Sequence, residues 1–534
     1  MDGQKYEIKN LIEGDVDFSK EAIKLASRDA SIFEVKPAGT IAPKNTDDIK
    51  AVIKYVSRKT SAGKKMTITP RAGGTCMSGG SLTQGLVLNM TKYLNKIGDA
   101  DEKNLKLTVQ GGAWHKDIEK ATHPKGLLFA PYTSSHEICS IGGMIGNNAS
   151  GEKSVRYGAT DDNVKKLKVV LYDGNEYEFG PLSRLELKAK MHLPNLEGDL
   201  YSTVVGLLEK NTKLIEERRA KTVKNAAGYE LSELWNKDKT IFNMARLFIG
   251  AQGTLGVVTE AELDLVPMLA HSRMIVTPIE DLDQLPEVVQ TVLKFQPAAC
   301  ETFDHFTFDW AKKYHPAAAK KAFAAEGQHM VVLSVFEDNN KQEADKMANA
   351  AKKALENLGH KTERIDDEPT IESFLNIRRW SFKMLLEHPA PDTRAMAFLE
   401  DTIVPIEKYG DFLRKLETIL TDYDMTYTYA GHIAAGSIRL IPLVNMEADG
   451  AAERIMELET KVNDLVLEFG GSISVDHNDG IIRTPFLEKQ FGSEMIKLFE
   501  EIKDLFDPLG IFNPGKKVRG TYEYALEHII RDNG

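Results

Sequence analysis

Two glycine-rich segments constrain this chain more than any other feature. Residues 70–80 read PRAGGTCMSGG, and residues 131–158 read PYTSSHEICSIGGMIGNNASGEKSVRYG. Because glycine has no Cβ, the main chain of such loops can approach a ligand closely, and successive N–H groups can surround a pyrophosphate. A third glycine segment at residues 250–258 makes tight turns alone a poor explanation of the pattern. The three segments predict a binding site for a large anionic cofactor.

Two familiar phosphate-binding motifs do not fit these loops. Residues 146–154 nearly match GxxxxGK[ST], but Glu152 displaces Lys153 by one position and puts a carboxylate where a triphosphate would lie. Residues 71–74 lack the GxGxxG spacing that connects a strand to a helix in a Rossmann dinucleotide site. The sequence therefore argues against nucleotide hydrolysis and against a Rossmann site.

Size, charge and cysteine content exclude several classes of protein. A chain of 534 residues is too long for one core, so two or three domains are expected. The formal net charge of -11 argues against nucleic acid as a partner. The three cysteines are far apart, which argues against a disulfide framework, a zinc ribbon and an iron–sulfur cluster. Without a signal-like N-terminus or a long apolar run, we expect a cytoplasmic protein, and peripheral contact with the inner face of the membrane stays open.

Helix and strand patterns alternate in a way that predicts an α+β fold. Asn45 and the acids after it resemble a helix start, and apolar residues then recur at helical spacing through Val56. Strands are expected at residues 66–69, 85–88 and 105–109, the first of them broken by Pro70. Asp173-Gly174 predicts a hairpin between two further strands. Near residue 270 the glycine loops give way to apolar strands and charged helices, which indicates a domain boundary.

The motifs together resemble a known family of flavoproteins. PRAGGT, SIGGMIGNNASGEKSVRYG, GAQGTLGVVTE and DPLGIFNPGK occur in that order. They resemble the FAD-binding domain of the vanillyl-alcohol-oxidase/PCMH superfamily and, within it, the FAD-linked D-lactate dehydrogenase and glycolate oxidase group of D-2-hydroxyacid dehydrogenases. The resemblance runs from about residue 37 to residue 517. It implies a PCMH-type FAD-binding domain at residues 1–270, an α/β cap that binds substrate at 271–470, and a C-terminal segment at 471–534 that returns to the FAD domain and the active site.

The same resemblance assigns residues to the cofactor. The pyrophosphate would lie against the first loop, the flavin and its ribityl chain against the second, the adenine near Val257, and the isoalloxazine near Asn513. The full set of expected FAD-binding residues is Arg71, Ala72, Gly73, Gly74, Thr75, Ser78, Gly79, Pro131, Ser135, Gly142, Gly143, Gly146, Asn148, Gly151, Val257 and Asn513. Covalent members attach FAD through a histidine after the paired glycines, and this chain has Thr75 there. We therefore expect non-covalent FAD.

Two loops carry the residues that the resemblance places at the catalytic centre. Family members have GHxGDGNxH and EHNDG or EHGIG, in which two histidines and the glutamate bind a divalent metal and the histidine after the glutamate is the general base. This chain reads GHIAAGSIR at residues 431–439 and DHNDG at 476–480. His432 matches the first ligand and His477 the base, whereas Arg439 replaces the second ligand and Asp476 the glutamate.

The arginine changes what this site can bind. A guanidinium stays protonated and cannot ligate a cation, so we expect no metal. Arg439 would take the place of the metal, pair with Asp476 and bind the carboxylate or hydroxyl of the substrate. Alternatively, Arg439 is only a structural ion-pair partner and activity has been lost. Arg378 lies where the family pattern WxxR supplies a carboxylate-binding arginine, with Leu375 in place of the Trp and Arg379 as a rival.

The sequence thus predicts an enzyme that oxidises a small D-2-hydroxy acid, D-lactate first, to the 2-oxo acid. Hydride would pass to flavin N5 while His477 takes the hydroxyl proton. Some relatives continue into an iron–sulfur domain, and since this chain stops at residue 534, electrons are expected to pass to a separate quinone, protein or oxygen. The sequence is also compatible with a homodimer. Two alternatives stay open: a non-redox FAD transferase like alkyl-dihydroxyacetone-phosphate synthase, and a catalytically altered FAD subunit of a larger oxidase complex.

Overall fold

The N-terminal half of the molecule contains two small sheets that face different helices. The computed structural model describes residues 2–322 and 329–532. The strands of this half are β1 (Asp15–Asp17), β2 (Gly39–Ala42), β3 (Ile68–Arg71), β4 (Leu86–Asn89), β5 (Lys106–Gln110), β6 (Leu127–Leu128), β7 (Val164–Val170), β8 (Glu176–Phe179), β9 (Pro181–Ser183), β10 (Ile241–Asn243), β11 (Val257–Asp264) and β12 (Val266–Pro267).

The two sheets differ in the direction of their strands. The first has the order β1-β2-β4-β3, with β2, β4 and β3 parallel and β1 antiparallel at the edge. The second has the order β5-β11-β7-β8 and is antiparallel throughout. The hairpin predicted at Asp173-Gly174 joins β7 to β8 and is confirmed. Two short antiparallel pairs, β9 with β10 and β6 with β12, complete this half.

Eleven helices described here connect these strands. They are α1 (Asp2–Lys9), α2 (Lys20–Ala26), α3 (Thr46–Ser61), α4 (His115–Thr122), α5 (Ile141–Asn147), α6 (Ser154–Tyr157), α7 (Thr160–Asn163), α8 (Arg184–Met191), α9 (Leu196–Lys210), α10 (Thr212–Arg218) and α11 (Ala245–Phe248). The sequence predicts α3 correctly: Asn45 caps it by accepting from the Asp48 amide, and Ile49, Val52, Ile53 and Val56 are fully buried.

Pro70 lies inside a strand instead of ending it. The sequence pattern ends the strand at Thr69, but β3 continues to Arg71. The reason is the position of β3 at the edge of its sheet, because there the missing N–H of a proline removes no ladder hydrogen bond. The first glycine loop therefore begins directly at the end of an edge strand.

The second half is built on one antiparallel sheet of eight strands. Its order is β16-β13-β15-β14-β19-β20-β17, with β18 also paired to β20. The strands are β13 (His271–Ile279), β14 (Ala299–Asp304), β15 (Met330–Asp338), β16 (Glu363–Ile365), β17 (Arg394–Ala395), β18 (Thr402–Ile403), β19 (Thr426–Gly431) and β20 (Ser437–Val444). The helices are α12 (Gln284–Leu293), α13 (His305–Tyr314), α14 (Pro316–Lys321), α15 (Lys341–Asn357), α16 (Glu368–Glu387), α17 (Tyr409–Asp422) and α18 (Ala451–Glu468).

Helices cover both faces of this sheet, which explains its apolar strands. Along β15, Val331, Leu333 and Val335 pack with α16, whereas Val332 and Phe336 belong to the core on the other face. A strand buried on both sides has a continuous apolar run, as residues 330–333 do. The α+β class is correct, with an antiparallel cap sheet.

The C-terminal part returns to the first sheet. It contains α19 (Gly480–Arg483), α20 (Leu487–Phe491), α21 (Ser493–Phe506) and α22 (Tyr522–His528). The Ile68 amide on β3 donates to Ile511, and the Asn513 amide donates back to Ile68. The domain limits at residues 270 and 470 stay predictions. In the part of the chain that the structure describes, no helix has both the length and the apolar character of a membrane span.

Candidate active site

The glycine segments meet along one narrow cleft. Its walls come from the loop after β3, from α5 and from the turn before β11. Of the residues predicted to bind FAD, this cleft brings together Ala72, Gly73, Gly74, Thr75, Gly142, Gly143 and Gly146. Gly74 has φ of +71°, and a Cβ there would lie 2.6 Å from Arg71 Nη2; a Cβ on Gly142 would lie 2.6 Å from the Gly111 carbonyl oxygen. The close approach of these chains therefore requires glycine.

Several main-chain amides in the lining of this cleft have no protein partner among the described residues. Within the described residues, no protein group accepts a hydrogen bond from the amides of Gly73, Gly74, Thr75 or Cys76. Buried or half-buried N–H groups are normally paired, so consecutive unpaired ones indicate an anionic ligand. A cleft of glycines and free amides fits the pyrophosphate of FAD, and these residues would hold it.

Other predicted cofactor residues act behind the cleft. Arg71 turns its guanidinium to the carbonyls of Ala26 and Arg28. The fully buried Asn513 side chain donates to the carbonyls of Gly80 and Gln252 and accepts from Thr69. The Asn513 side chain thus connects both ends of the first glycine segment to the third.

Four more predicted residues lie outside the cleft lining. The Val257 side chain is buried in the core of the first sheet, between Gly256 and Val258, which do line the cleft. Gly79 packs against Phe33 and Ile481. Pro131 and Ser135 belong to the segment before α5 and line neither the cleft nor the larger cavity described next.

A larger cavity, of about 760 Å³, lies beyond the cleft. Asn148 and Gly151, which follow α5, line it, as do His432 and Glu301 of the cap. Because α5 lines the cleft and the residues just after it line the cavity, one segment connects both spaces. The Ser78 hydroxyl donates to the His477 carbonyl, which ties the first glycine loop to the predicted catalytic loop.

Arg439 lies between His432 and Asp476. Its Nη2 is 3.1 Å from His432 Nε2 and 3.2 Å from Asp476 Oδ2, while those two atoms are 3.9 Å apart. The Arg439 Nε is buried and has no hydrogen-bond partner among the described residues. The structure thus brings together the three residues at the family's metal positions, with a cation already among them. That no metal binds here stays a prediction.

Lys224 is a member of this cluster that the sequence did not reveal. Its Nζ lies 2.9 Å from Asp476 Oδ1, and it also contacts Ser150, whose hydroxyl donates to the same carboxylate. Burial would raise the pKa of Asp476, but the positive charges of Lys224 and Arg439 hold that pKa well below its usual range. Asp476 is therefore an anion held by two cations. No local pattern around residue 224 could have indicated this.

Glu301 and Arg378 hold His432 from the other side. The His432 Nδ1–H donates to Glu301 at 2.7 Å, and Arg378 Nη2 lies 3.3 Å from Nε2. Arg378 also forms an ion pair with Glu301 at 2.5 Å and donates to Ser134 at 2.8 Å. Burial, together with the charge of Arg378, lowers the pKa of His432 to about 4, although Glu301 opposes this. Glu301 comes from β14, far from His432 in sequence, and was missed.

The Arg379 guanidinium pairs with the Glu152 carboxylate. It forms two hydrogen bonds to that carboxylate, at 2.6 and 2.9 Å, and a third contact to Glu372. Glu152, which prevents a match to the phosphate motif, therefore connects the second glycine segment to α16 of the cap. This leaves Arg378 as the arginine of the pair that contacts His432.

His477 is oriented by a buried carboxylate. Its Nδ1 contacts Glu400, which also accepts from Arg483 at 2.7 Å. Burial opposes ionisation, but His477 and Arg483 lower the pKa of Glu400 to about 2. Among the described residues no partner occupies His477 Nε2. An imidazole whose Nδ1–H donates to a carboxylate has Nε2 available as a base.

Asp401 holds the backbone of the catalytic loop. Its carboxylate accepts from the amides of Val475, Asp476 and His477 and from the Ser474 hydroxyl. The only signal for Glu400 and Asp401 in the sequence is a pair of adjacent acids directly after the apolar Leu399. The ligand atoms of Glu400, Asp401 and His477 lie within 4.8 Å of one another, so they could also hold a cation, although Arg483 already balances their charge.

Acid should destabilise the fold through His432. Because the pKa of His432 is about 4 in the folded chain and its usual value is 6.5, the unfolded chain binds the proton first as pH falls. The free energy of unfolding is then fully retained above pH 6.5 and decreases by about 3 kcal/mol as pH falls toward 4. Urea unfolding at neutral pH and near pH 4 measures this. His432→Asn should flatten the slope, whereas the matched His271→Asn, at the start of β13, should not; equal slopes in both variants would contradict the assignment.

Comparison with known proteins agrees with this arrangement. Residues 37–180 match the model of the FAD binding domain, and residues 268–517 match that of the C-terminal domain of FAD linked oxidases. The chain therefore belongs to the FAD-linked oxidases of the PCMH-type superfamily. It carries an FAD-binding domain, and its relatives are named as dehydrogenases and oxidases.

Individual relatives align with almost the whole chain. It is 27% identical to the D-2-hydroxyglutarate dehydrogenase of Pantoea ananatis over 92% of this chain and 49% of the relative. It is 29% identical to glycolate oxidase subunit GlcD of Bacillus subtilis over 91% of this chain and 89% of the relative. It is 26% identical to the D-lactate dehydrogenase of Archaeoglobus fulgidus over 90% of this chain and 91% of the relative. The chain spans about half the length of the D-2-hydroxyglutarate dehydrogenases it matches. The structure of 4-ethylphenol oxidase from Gulosibacter chungangensis shares the fold, with a TM-score of 0.70, 16% identity and 98% of both chains covered.

Proposed function

We propose that this chain oxidises a D-2-hydroxy acid to the 2-oxo acid. The observation that carries the proposal is the joint position of the Arg439–Asp476–His432 cluster and the Glu400-oriented His477 next to the FAD-binding segments. When bound, FAD supplies the hydride acceptor. The chain's own residues bind the acid, orient its hydroxyl and take up the proton, and the electrons then pass to an electron acceptor.

Arg439 is the proposed anchor for the substrate. Its buried, unpaired Nε can donate to an incoming oxygen, and its guanidinium lies among groups that keep it in place. Arg378 contributes positive charge behind His432. A fixed guanidinium binds a carboxylate or an ionising hydroxyl without the need for a metal ion.

His477 is the proposed general base. The Glu400 carboxylate fixes the ring and stabilises the imidazolium that forms when Nε2 accepts the hydroxyl proton. Asp401 keeps the loop backbone in position while the charge changes.

Two substrates within this class are candidates. The sequence favours a short acid, D-lactate. The cavity favours a longer one: Lys221 and Arg219 line it together with Lys224, so a second carboxylate could find a positive partner. Relatives named D-2-hydroxyglutarate dehydrogenase point in the same direction.

An anaerobic titration of the purified holoprotein separates these possibilities. D-lactate, L-lactate, glycolate and both enantiomers of 2-hydroxyglutarate are added in turn, and flavin absorbance is followed. We expect bleaching by D-acids and none by L-acids. If D-2-hydroxyglutarate bleaches at far lower concentration than D-lactate, the longer acid is the substrate; if no hydroxy acid bleaches the flavin, the proposed activity is wrong.

FAD should be released when the protein unfolds. Thr75 lies in the cleft where covalent relatives have histidine, and a threonine hydroxyl forms no such bond to the flavin. Precipitation with acid should therefore leave a colourless pellet and a yellow supernatant. A yellow pellet that survives washing in SDS would show a covalent bond.

A further inference from the structure

A second cluster of metal-binding side chains lies outside the site described above. His115 and Glu119 are one turn apart on α4, and His136 comes from the segment before α5. Glu119 Oε2 lies 3.1 Å from His136 Nδ1 and 3.8 Å from His115 Nδ1. One ligand atom from each of the three residues lies within 4.8 Å of the other two.

His115 is a buried imidazole without a partner. Its side chain is 0% exposed, and neither ring nitrogen has a hydrogen-bond partner among the described residues. Burial of an unpaired polar group is unfavourable, so such groups are rare without a reason. The ring faces Glu119 and His136, which makes a ligand between the three residues the most direct explanation.

The spacing suits a tetrahedral ion. Zinc–ligand bonds of about 2.0–2.1 Å at tetrahedral angles put neighbouring ligand atoms roughly 3.3 Å apart. The two measured separations, 3.1 and 3.8 Å, lie on either side of that value. Two imidazoles and one carboxylate form a donor set that Zn²⁺ prefers over Mg²⁺ or Ca²⁺.

We propose that His115, Glu119 and His136 bind a Zn²⁺ ion. The fourth position would face the open surface pocket that Glu119 and His136 line together with His123, which provides an entry path and room for water.

The ion would connect α4 to the segment that supports both binding spaces. In that segment the Ile138 carbonyl lies so close to Gly73 that a Cβ there would be 2.4 Å away, and Ser134 accepts from Arg378. Tyr132 stacks on His136 and lies under the Arg379 guanidinium. The proposed role is therefore structural: the ion fixes the loop behind the cofactor cleft.

Metal analysis of the chelated and reloaded holoprotein tests the proposal. The protein is treated with a chelator, dialysed against Zn²⁺ and then against metal-free buffer, and its zinc content and melting temperature are measured. We expect one bound Zn²⁺ per chain and a higher melting temperature with zinc. Glu119→Gln and His136→Gln should each lose the ion and the thermal shift while retaining FAD.

Two further variants locate the ion. Glu137→Gln removes an exposed charge next to the cluster and should still bind zinc. His477→Asn, in the other cluster of candidate ligands, should also still bind zinc. If His477→Asn loses the zinc, or if both Glu119→Gln and His136→Gln retain it, the ion lies elsewhere and the proposal is wrong. The proposal is also wrong if the unaltered protein binds no zinc.

Discussion

Replacing His477 with asparagine should slow reduction of the flavin by about 10²–10⁴-fold, the usual contribution of a general base. Asparagine can still donate to Glu400 but offers no basic nitrogen to the substrate hydroxyl. The Glu400–Arg483 ion pair, at 2.7 Å, remains to balance the buried carboxylate, so the fold and the bound FAD should be retained. Single-turnover mixing with a D-2-hydroxy acid measures the rate.

Glu400→Gln separates orientation from proton transfer. The amide can still bind Nδ1, but its charge no longer stabilises the imidazolium, so the rate should fall less than in His477→Asn and its pH profile should shift. His271→Asn, the matched control outside the site, should react like the unaltered protein. If His477→Asn reduces at the normal rate across the pH range, His477 is not the base.

Replacing Arg439 with alanine should lower kcat/KM by about 10²–10³-fold, the loss expected when one partner of a buried charge pair at a binding site is removed. The substrate loses a fixed cation, and of its two cationic partners Asp476 keeps only Lys224, beside the Ser150 hydroxyl. Arg454→Ala, an exposed arginine on α18, is the matched control and should leave kcat/KM unchanged. Added Zn²⁺ or Mn²⁺ should not rescue Arg439→Ala, because His432 and Asp476 alone are a poor site.

A double variant sharpens the same test. Arg439→His with Asp476→Glu restores the family's ligand types at positions 432, 439 and 476. We expect this protein, unlike the unaltered chain, to need a divalent ion for flavin reduction. If the unaltered chain itself needs the ion, or if Arg439→Ala is fully active, the guanidinium does not replace the metal.

The sequence was informative where a local pattern had a single physical cause. The cap at Asn45 and the apolar period through Val56 predicted α3, and the glycine loops meet along one cleft. The prediction that Pro70 ends the strand was wrong because the sequence does not show that β3 is an edge strand. The sequence likewise predicted apolar strands in the cap but not their antiparallel order.

The supporting side chains of the site could not be predicted because they come from distant elements. Glu301 on β14 contacts His432 only because β14 pairs with β19, and Lys224 in a long loop contacts Asp476 only because the C-terminal segment returns to the first half. Glu400 and Asp401 were visible as paired acids, but their roles depend on contact with residues 474–477. The family motifs located the reacting groups; the fold supplies the charged side chains that hold them in place.

The most direct test of the arginine-based site is reduction of the flavin in metal-free protein. The holoprotein is treated exhaustively with a chelator, shown to contain no Zn²⁺ or Mn²⁺, and mixed anaerobically with a D-2-hydroxy acid. We expect full bleaching at the rate of untreated protein, since Arg439 supplies the positive charge and His477 the base. Bleaching that appears only after Zn²⁺ or Mn²⁺ is returned, and is then retained in His136→Gln, would contradict a metal-free catalytic centre.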